Sequence, residues 1–519
     1  MRRLFYVACI ICLFFSGSFT YAQDDVVKKI IEIGTTDNQT MDHLDVLANR
    51  FGGRLIGSND YDNAAEWCAA QFKKWGMDVI MDESGELPVG FNRGYWSGRL
   101  IGENGMDLHF VTPSYTAGTK GVQKGHVLME PKTRRQLENM KGKLKGAWVL
   151  ITGNSRGSAI DYSEEGDILR DSVLINNAKI NEENAQIRAE NRRNRDNPDY
   201  KQKELKPLKD APALFYKEMK EAGILGIIQS GEVPLKALAD RKNCWTMTFE
   251  TLPTIPDIKL DEHQYEIIKQ MVIERRSFEL EFDIRNYFRM GPVKYHNVIG
   301  VIPGSEYPDE YVIMGGHLDA YDVATGGVDC GSGVTPAIEA ARLIMEAGGK
   351  PKRTILVGLW AGEEFGLLGS KSYVEKNAEN LDKISNYFNR DGGPTVANSL
   401  SVSEAMWDDI EKICKPLNSI NPDFPFTLSK RQPRPKPRRA GGTDSGSFSV
   451  KGVPTMGFGT GDPKGYDFSY GEIWHTERDL YNKSIPEYQE HTAVVTAIVV
   501  LGIANLDHLL SREGYYLDN

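Results

Sequence analysis

The stretch YVIMGGHLDAYDVATGGVDCGSGVTPAIEAARLIMEAGGKPKRTILVGLWAGEEFGLLGS, residues 311–370, decides the fold. Its first residues, 311–315, form an apolar run that predicts a strand, and residues 354–360 form a second, β-branched run. Between them, residues 334–347 have the pattern of a helix that two glycines close. A strand, a helix and a strand in this order are typical of a parallel pair joined by a crossover.

The alternation continues beyond this stretch. Residues 384–389 predict another strand, and a last helix is expected to begin near Ser484, where Glu487 would complete a capping box. Alternating strands and helices predict an α/β fold with a doubly wound, mostly parallel sheet and helices on both of its faces.

The composition is that of a globular protein. The chain has 519 residues, which predicts two or three folded units at roughly 100–200 residues per domain. Of the six cysteines, Cys9 and Cys12 lie in the N-terminal apolar run, and the other four are widely spaced, which excludes a disulfide-dense scaffold. The formal net charge is −10, whereas a general nucleic-acid binder normally carries a basic face. We therefore expect no nucleic-acid partner.

The N-terminal sequence MRRLFYVACIICLFFSGSFTYAQ has the pattern of a secretory signal peptide. Two arginines precede an apolar run at residues 4–15, and Thr20 and Ala22 fit a cleavage site. The apolar run is too short to span the hydrocarbon core of a membrane. We therefore expect removal of residues 1–22, no stable membrane insertion, and a periplasmic or extracellular location.

The middle of the chain differs in character from the rest. Residues 146–152 predict a buried strand, and residues 216–230 predict a helix followed by another buried strand. Between them, the charged segment 161–209 predicts an exposed excursion, with a solvated helix at residues 180–195. We therefore divide the mature chain into an N-terminal part, an inserted region and a C-terminal part, at residues 23–111, 112–289 and 290–519.

Imidazole and carboxylate side chains follow each predicted strand of the C-terminal part. They are His317 and Asp319 after the first strand, Glu363 and Glu364 after the second, and Asp391 after the third. In open α/β sheets, ligands bind outside the carboxyl ends of the strands. Three strands would therefore deliver these side chains to one crevice.

The residue types in this crevice suit a metal site. His317 supplies an imidazole nitrogen, which is a good zinc ligand, and Asp319 could hydrogen-bond the other ring nitrogen. Asp329, in the same glycine-rich loop, has two oxygens that could bridge two metals.

The adjacent glutamates would be costly to bury without a compensating cation. Because neighbouring side chains diverge, we assign Glu364 to the metal and Glu363 to the role of general base. Together with Asp391 and His475, the crevice would hold two histidines and three carboxylates, a nitrogen and oxygen set that suits zinc.

This pattern resembles metallopeptidase family 28, the co-catalytic di-zinc exopeptidases. The resemblance implies a zinc-exopeptidase fold with an inserted, β-rich protease-associated domain at residues 112–289. It implies two Zn²⁺ per chain bridged by Asp329 and a water, with Glu363 as the base. The implied zinc ligands are His317, Asp329, Glu364, Asp391 and His475.

Two further segments resemble the family. They are GGRLIGS at residues 52–58 and TDSGSF at residues 443–448, and the second implies that Asp444 and Ser445 lie near the substrate. One position departs from the family, because Cys330 replaces the aspartate that usually follows the bridging residue. The resemblance also implies a cis peptide bond between Asp329 and Cys330.

The implied substrate is a peptide or dipeptide cleaved at one end, but the sequence leaves open which end is recognised. The basic segment KRQPRPKPRR, residues 430–439, would either gather acidic substrates or form a solvated loop. Tyr466 and Tyr470 are both candidates to stabilise the oxyanion, and spacing does not choose between them. A homodimer is compatible with the sequence.

Three other functions share this scaffold. A receptor on an inactive peptidase scaffold would lack zinc ligands, and none is missing here. A single-zinc acyltransferase of the glutaminyl-cyclase type disagrees with the inserted region. An amidohydrolase acting on non-peptide amides remains an alternative that a substrate panel would separate from a peptidase.

Overall fold

The computed structural model describes residues 24–102, 105–239 and 241–517, without the side chains of residues 241–243. The predicted signal peptide lies outside these residues. Among the helices that are described, none combines the length and the apolar character needed to cross a membrane.

The chain forms two compact units. The first contains the chain up to Gly90 together with Pro292–Asn519, and the second contains Phe91–Gly291. The chain therefore leaves the first unit and later returns to it. The assignment of residues 112–289 as a protease-associated domain stays a prediction.

The central sheet of the first unit has five strands. In spatial order they are Asp78–Asn92, Tyr287–Ile302, Arg353–Trp360, Tyr307–His317 and Ile384–Asn389. Tyr307–His317 pairs in parallel with the strands on both of its sides, whereas Tyr287–Ile302 runs antiparallel to Arg353–Trp360. The predicted α/β class is confirmed, and the three strands predicted to precede the site residues form the parallel part of the sheet.

Burial explains why these strands have continuous apolar runs. Every residue of Arg353–Trp360 is buried, because a parallel strand is covered on both faces. Helices Gly333–Glu346 and Pro486–Ala504 pack against each other and are buried over most of their length. The chain thus supplies a core on which the site residues are rigidly mounted.

The predicted capping box at the start of the last helix is wrong. The helix begins at Pro486, and Ser484 instead donates a hydrogen bond from Oγ to the Gly327 oxygen at 2.9 Å. Glu487 pairs with Lys464 and Tyr466 rather than with the helix start. Tertiary contacts take both side chains away from the local motif.

The first unit is completed by shorter elements. The additional helices are residues 24–36, Thr40–Leu44, Asn59–Lys74, Leu368–Lys376, Trp407–Cys414 and Ser445–Ser449, with a π-helical turn at Asp45–Phe51 and a turn kinked at Asp329 and Cys330 at Gly327–Ser332. Short 3₁₀ turns are Ala378–Lys383, Glu404–Met406, Lys415–Ser419, Tyr470–Glu472 and Tyr481–Lys483. A small sheet has the order Thr427–Lys430, Val396–Val402 and Gly459–Gly461.

The second unit contains two sheets. One has the order Met106–Asp107, Trp96–Ile101, Glu279–Ile284 and Gln123–Gly125; the other has the order Phe110–Val111, Asp257–Asp261, Gly226–Gly231, Trp148–Ser155 and Val127–Met129. Its helices are Arg134–Leu144, Glu164–Arg193, Tyr216–Glu221, Arg241–Thr246 and Glu262–Ile273. Trp148 lies in its core, where the ring meets Phe282 edge to face at 4.7 Å and donates to the Leu280 oxygen.

The charged excursion is more ordered than its composition predicts. Helix Glu164–Arg193 has 30 residues, and three of its five asparagines, Asn177, Asn184 and Asn191, recur at every seventh position. Each side-chain amide donates to a backbone oxygen and accepts from the N–H of the same residue, at 2.7–3.0 Å, in the segment 201–210. The partners are Lys209, Lys206 and Lys203 respectively. We call this arrangement the asparagine ladder.

Asn184→Ala should destabilise the second unit. Two hydrogen bonds are lost, and at about 0.5–1.5 kcal/mol each the free energy of unfolding should fall by about 1–3 kcal/mol. Urea unfolding would measure this change, and trypsin should cleave faster after Lys203 and Lys209. Glu182→Ala, at an exposed position on the same helix, is the control. Equal stability of the two variants would contradict a stabilising role for the ladder.

Candidate active site

The carboxyl ends of the three parallel strands bring the predicted site residues together. His317 is the last residue of its strand and is in register with Trp360. Glu363 and Glu364 follow Trp360 after a turn at Gly362, whose φ of 67° favours glycine. Asp391 lies just beyond the third strand.

Two histidine-containing groups share Asp329. His317 Nε2 lies 3.2 Å from Asp329 Oδ1 and 3.3 Å from Asp391 Oδ1. His475 Nε2 lies 3.5 Å from Asp329 Oδ2 and 3.0 Å from Glu364 Oε2. The five predicted ligands thus converge, and each oxygen of Asp329 faces a different histidine.

The electrostatics of this cluster fit a bound cation. Asp329 and Glu364 are buried, and burial raises the pKa of both carboxyl groups. Within the described part of the chain, Glu364 Oε1 has no hydrogen-bond partner. Ligand atoms of His317, Asp329 and Glu364 lie within 4.8 Å of one another. Buried carboxylates with unfilled acceptors and two imidazoles form a donor set that zinc would satisfy.

Asp319 organises the turn that carries the glutamates. His317 Nδ1 lies 2.9 Å from the backbone oxygen of Asp319 but 3.6 Å from its Oδ1, so the backbone oxygen is the closer acceptor. The carboxylate accepts hydrogen bonds from the N–H groups of Glu363 and Glu364 at 3.1 and 3.2 Å. The imidazole thus contacts Asp319 as predicted, but through the backbone oxygen rather than the carboxylate, and the sequence analysis missed the contacts of that carboxylate with the glutamates.

The adjacent glutamates occupy different environments. Glu364 is buried, whereas Glu363 is only partly buried. Burial raises the pKa of Glu363 to about 8, and the carboxylate of Asp444 contributes in the same direction. The two side chains therefore diverge, which leaves Glu363 outside the pair of ligand groups.

Two charged residues hold the loop before and around Asp329, and neither was singled out in the sequence. Asp479 accepts from the Val328 N–H at 2.6 Å and from the Asp329 N–H at 3.3 Å. The buried guanidinium of Arg54 donates to the backbone oxygens of Leu47, Gly52, Leu318, Thr325 and Gly326. Because both residues bind backbone groups, they fix the position of the loop rather than the reacting atoms.

The peptide bond between Asp329 and Cys330 is cis, which confirms the prediction. Cys330 is buried and its thiol donates to the Arg390 oxygen at 3.4 Å. Cys68, Cys330 and Cys414 are free thiols.

The proposed substrate residues separate into two groups. Tyr470 lines a cavity of about 300 Å³ beside Asp391, whereas Tyr466 is outside that lining and donates its hydroxyl to Glu487. Asp444 is buried, and burial raises its pKa to about 7. Ser445 begins helix Ser445–Ser449 and, like Asp444, is outside the cavity lining.

Part of the basic segment is packed by aromatic rings. The Arg431 guanidinium lies 4.1 Å from the centre of the Tyr515 ring, and that of Arg434 lies 5.2 Å from the same centre. Lys436, Arg438 and Arg439 are exposed. The segment therefore contains both structural and solvated cations.

Comparisons with known proteins agree with this arrangement. Carboxypeptidase Q of Xenopus laevis is 22% identical over 507 residues, covering 94% of this chain and 91% of that protein. Carboxypeptidase Q of Rattus norvegicus is 29% identical over 237 residues, covering 44% of this chain and 46% of that protein.

Solved structures share the fold. A peptidase M28 precursor from Shewanella amazonensis superposes with a TM-score of 0.56 at 20% identity, covering 95% of this chain and 98% of the other. BSAP, a zinc aminopeptidase from Bacillus subtilis, superposes with a TM-score of 0.50 at 16% identity, covering 92% of this chain and 97% of the other. Residues 297–499, which include every residue of the two histidine groups, match the model of Peptidase family M28. The fold and the strand-end cluster agree with this match, which covers residues 297–499 of the chain.

Proposed function

We propose that this protein is an exported, two-zinc metallo-exopeptidase that hydrolyses a peptide bond at one end of its substrate. The observation that carries the proposal is the position of Asp329, with one oxygen toward His317 and the other toward His475. A carboxylate shared in this way suits two metals rather than one. The signal-peptide pattern supports export.

The ligands divide into two sets around that carboxylate. His317 and Asp391 would hold one metal with Asp329, and His475 and Glu364 would hold the other. When bound, zinc supplies a Lewis acid that polarises the scissile carbonyl and makes water reactive near neutral pH. Asp319 keeps the glutamate turn in place through the N–H groups of Glu363 and Glu364.

Glu363 would move the protons of the reaction. Its carboxylate takes a proton from the attacking water and delivers it to the leaving amine. Burial raises the pKa of Glu363 to about 8, and a nearby cation would lower it again toward the range in which a base works at neutral pH. Tyr470, whose ring lines the cavity beside Asp391, would donate its hydroxyl to the oxyanion.

Metal content and a small substrate panel test this proposal. We expect two zinc ions per chain, and we expect a chelator to abolish cleavage of aminoacyl amides, dipeptides or blocked dipeptides. Folded protein with no zinc and no cleavage would favour the receptor alternative. Zinc-dependent cleavage restricted to non-peptide amides would favour the amidohydrolase alternative.

A further inference from the structure

We propose that Arg390 binds a substrate carboxylate in the cavity beside Asp391, which would make this exopeptidase selective for acidic groups. The inference rests on the proposed function and names the substrate chemistry of the same site. It starts from a cation that has no role in holding the metals.

The guanidinium of Arg390 is fixed by neutral oxygens. Its Nε donates to the Ser332 oxygen at 3.2 Å, and its Nη2 donates to the Thr395 oxygen at 2.8 Å and faces Gln489 Oε1 at 3.5 Å. Among the described residues, its Nη1 has no hydrogen-bond partner and no carboxylate lies within ion-pair distance. The positive charge is therefore oriented but not neutralised.

The cavity next to this group is polar. Asn389, Thr395, Thr460 and Tyr470 supply polar atoms to its wall, and Arg390 is the one cation among the described residues that line it. The cavity holds about 300 Å³, enough for a small side chain or a terminal residue. The acidic residue in the lining, Asp391, faces His317 at 3.3 Å.

A carboxylate is the ligand that best satisfies these conditions. A guanidinium binds carboxylates through charged and directional hydrogen bonds, and it stays protonated throughout the physiological range. The two backbone oxygens of Ser332 and Thr395 hold the group in position before the ligand arrives, which reduces the entropy lost on binding. A bound anion would supply the negative charge that neutralises the Arg390 guanidinium.

The cavity adjoins the proposed metal site, because Arg390 and Asp391 both line it. A carboxylate at Arg390 would thus belong to a residue next to the cleaved bond. Two sources fit, namely the free C-terminus of a dipeptide or the side chain of an acidic residue.

The test compares Arg390→Met with Arg390→Lys and with Arg439→Met, an exposed cation of the basic segment. For wild type, kcat/KM should favour Ala-Ala over Ala-Ala-amide. Arg390→Met should lower kcat/KM for the acid by roughly 30-fold or more, while the amide changes little. Arg390→Lys should restore part of the preference, and Arg439→Met should leave it unchanged.

A second pair of substrates identifies the source of the carboxylate. If Arg390→Met removes a preference for Ala-Glu-amide over Ala-Gln-amide instead, the side chain is the group that Arg390 binds. If Arg390→Met lowered kcat/KM equally for the two substrates of each pair, Arg390 would only support the loops, and the proposal would be overturned. Loss of the preference in Arg439→Met would move the site to the basic segment.

Binding separates this inference from the proposed function. Calorimetry on zinc-loaded protein should give tighter binding of N-acetylalanine than of N-acetylalaninamide, and Arg390→Met should remove most of that difference. Equal binding of both probes to wild type would overturn the role of Arg390 even in an active peptidase. Selective binding without cleavage of any peptide would instead overturn the proposed exopeptidase.

Discussion

Glu363→Gln should lower kcat by at least about 100-fold while the protein retains two zinc ions. The substitution keeps the size and polarity of the side chain but removes its ability to accept a proton. Glu363 is only partly buried and lies outside the two groups of ligands, so the change leaves the metal donors intact. Steady-state kinetics and elemental analysis of the same preparation would measure both quantities.

The neighbouring glutamate is the matched control. Glu364 is buried and lies 3.0 Å from His475, so Glu364→Gln should reduce zinc content as well as activity. The two variants differ by one position and by the same chemical change. Near-normal turnover in Glu363→Gln would show that the base is another residue, and full zinc content in Glu364→Gln would remove that residue from the ligand set.

Asp479→Asn should weaken zinc binding by roughly 10–100-fold, although Asp479 is not itself a ligand. Its carboxylate accepts from the N–H groups of Val328 and Asp329, and these contacts set the position of the Asp329 carboxylate. An asparagine can supply one acceptor oxygen but turns an N–H₂ group toward donors. The backbone around Asp329 should then lose its fixed geometry.

Competition with a chromophoric chelator would measure the zinc affinity of this variant. Asp408→Asn makes the same chemical change at an exposed position on helix Trp407–Cys414 and should retain wild-type affinity. If Asp479→Asn held zinc as tightly as the control, its contacts with the loop would be structural only. Circular dichroism on both variants would check that the fold is kept.

The sequence was sufficient to predict the α/β class and the residues that converge at the strand ends. Strand runs and the side chains that follow them are local patterns, so the positions of His317 and Asp391 could be inferred directly. Arg54 and Asp479 could not, because they act on backbone N–H and C=O groups that every residue carries. Their partners are distant in the chain and have no characteristic residue type.

Local motifs failed where tertiary contacts compete with them. Ser484 and Glu487 have the spacing of a capping box, but Ser484 binds the Gly327 oxygen and Glu487 binds Lys464. For the charged segment 161–209, tertiary contacts create order that the local composition does not predict. Its charged composition predicts solvation, whereas its order depends on asparagines repeated every seven residues.

The asparagine ladder links the length of the helix to the length of the extended segment that runs beside it, because every seventh helical residue pairs with every third residue of that segment. Seven helical residues rise about 10.5 Å, and three extended residues cover about 10 Å, so each asparagine meets a backbone group at the third residue along the partner segment. A change of seven residues in the helix is therefore compensated by a change of three in the segment 201–210. Any other combination shifts the remaining asparagines away from their partners, so the two segments can vary in length only together.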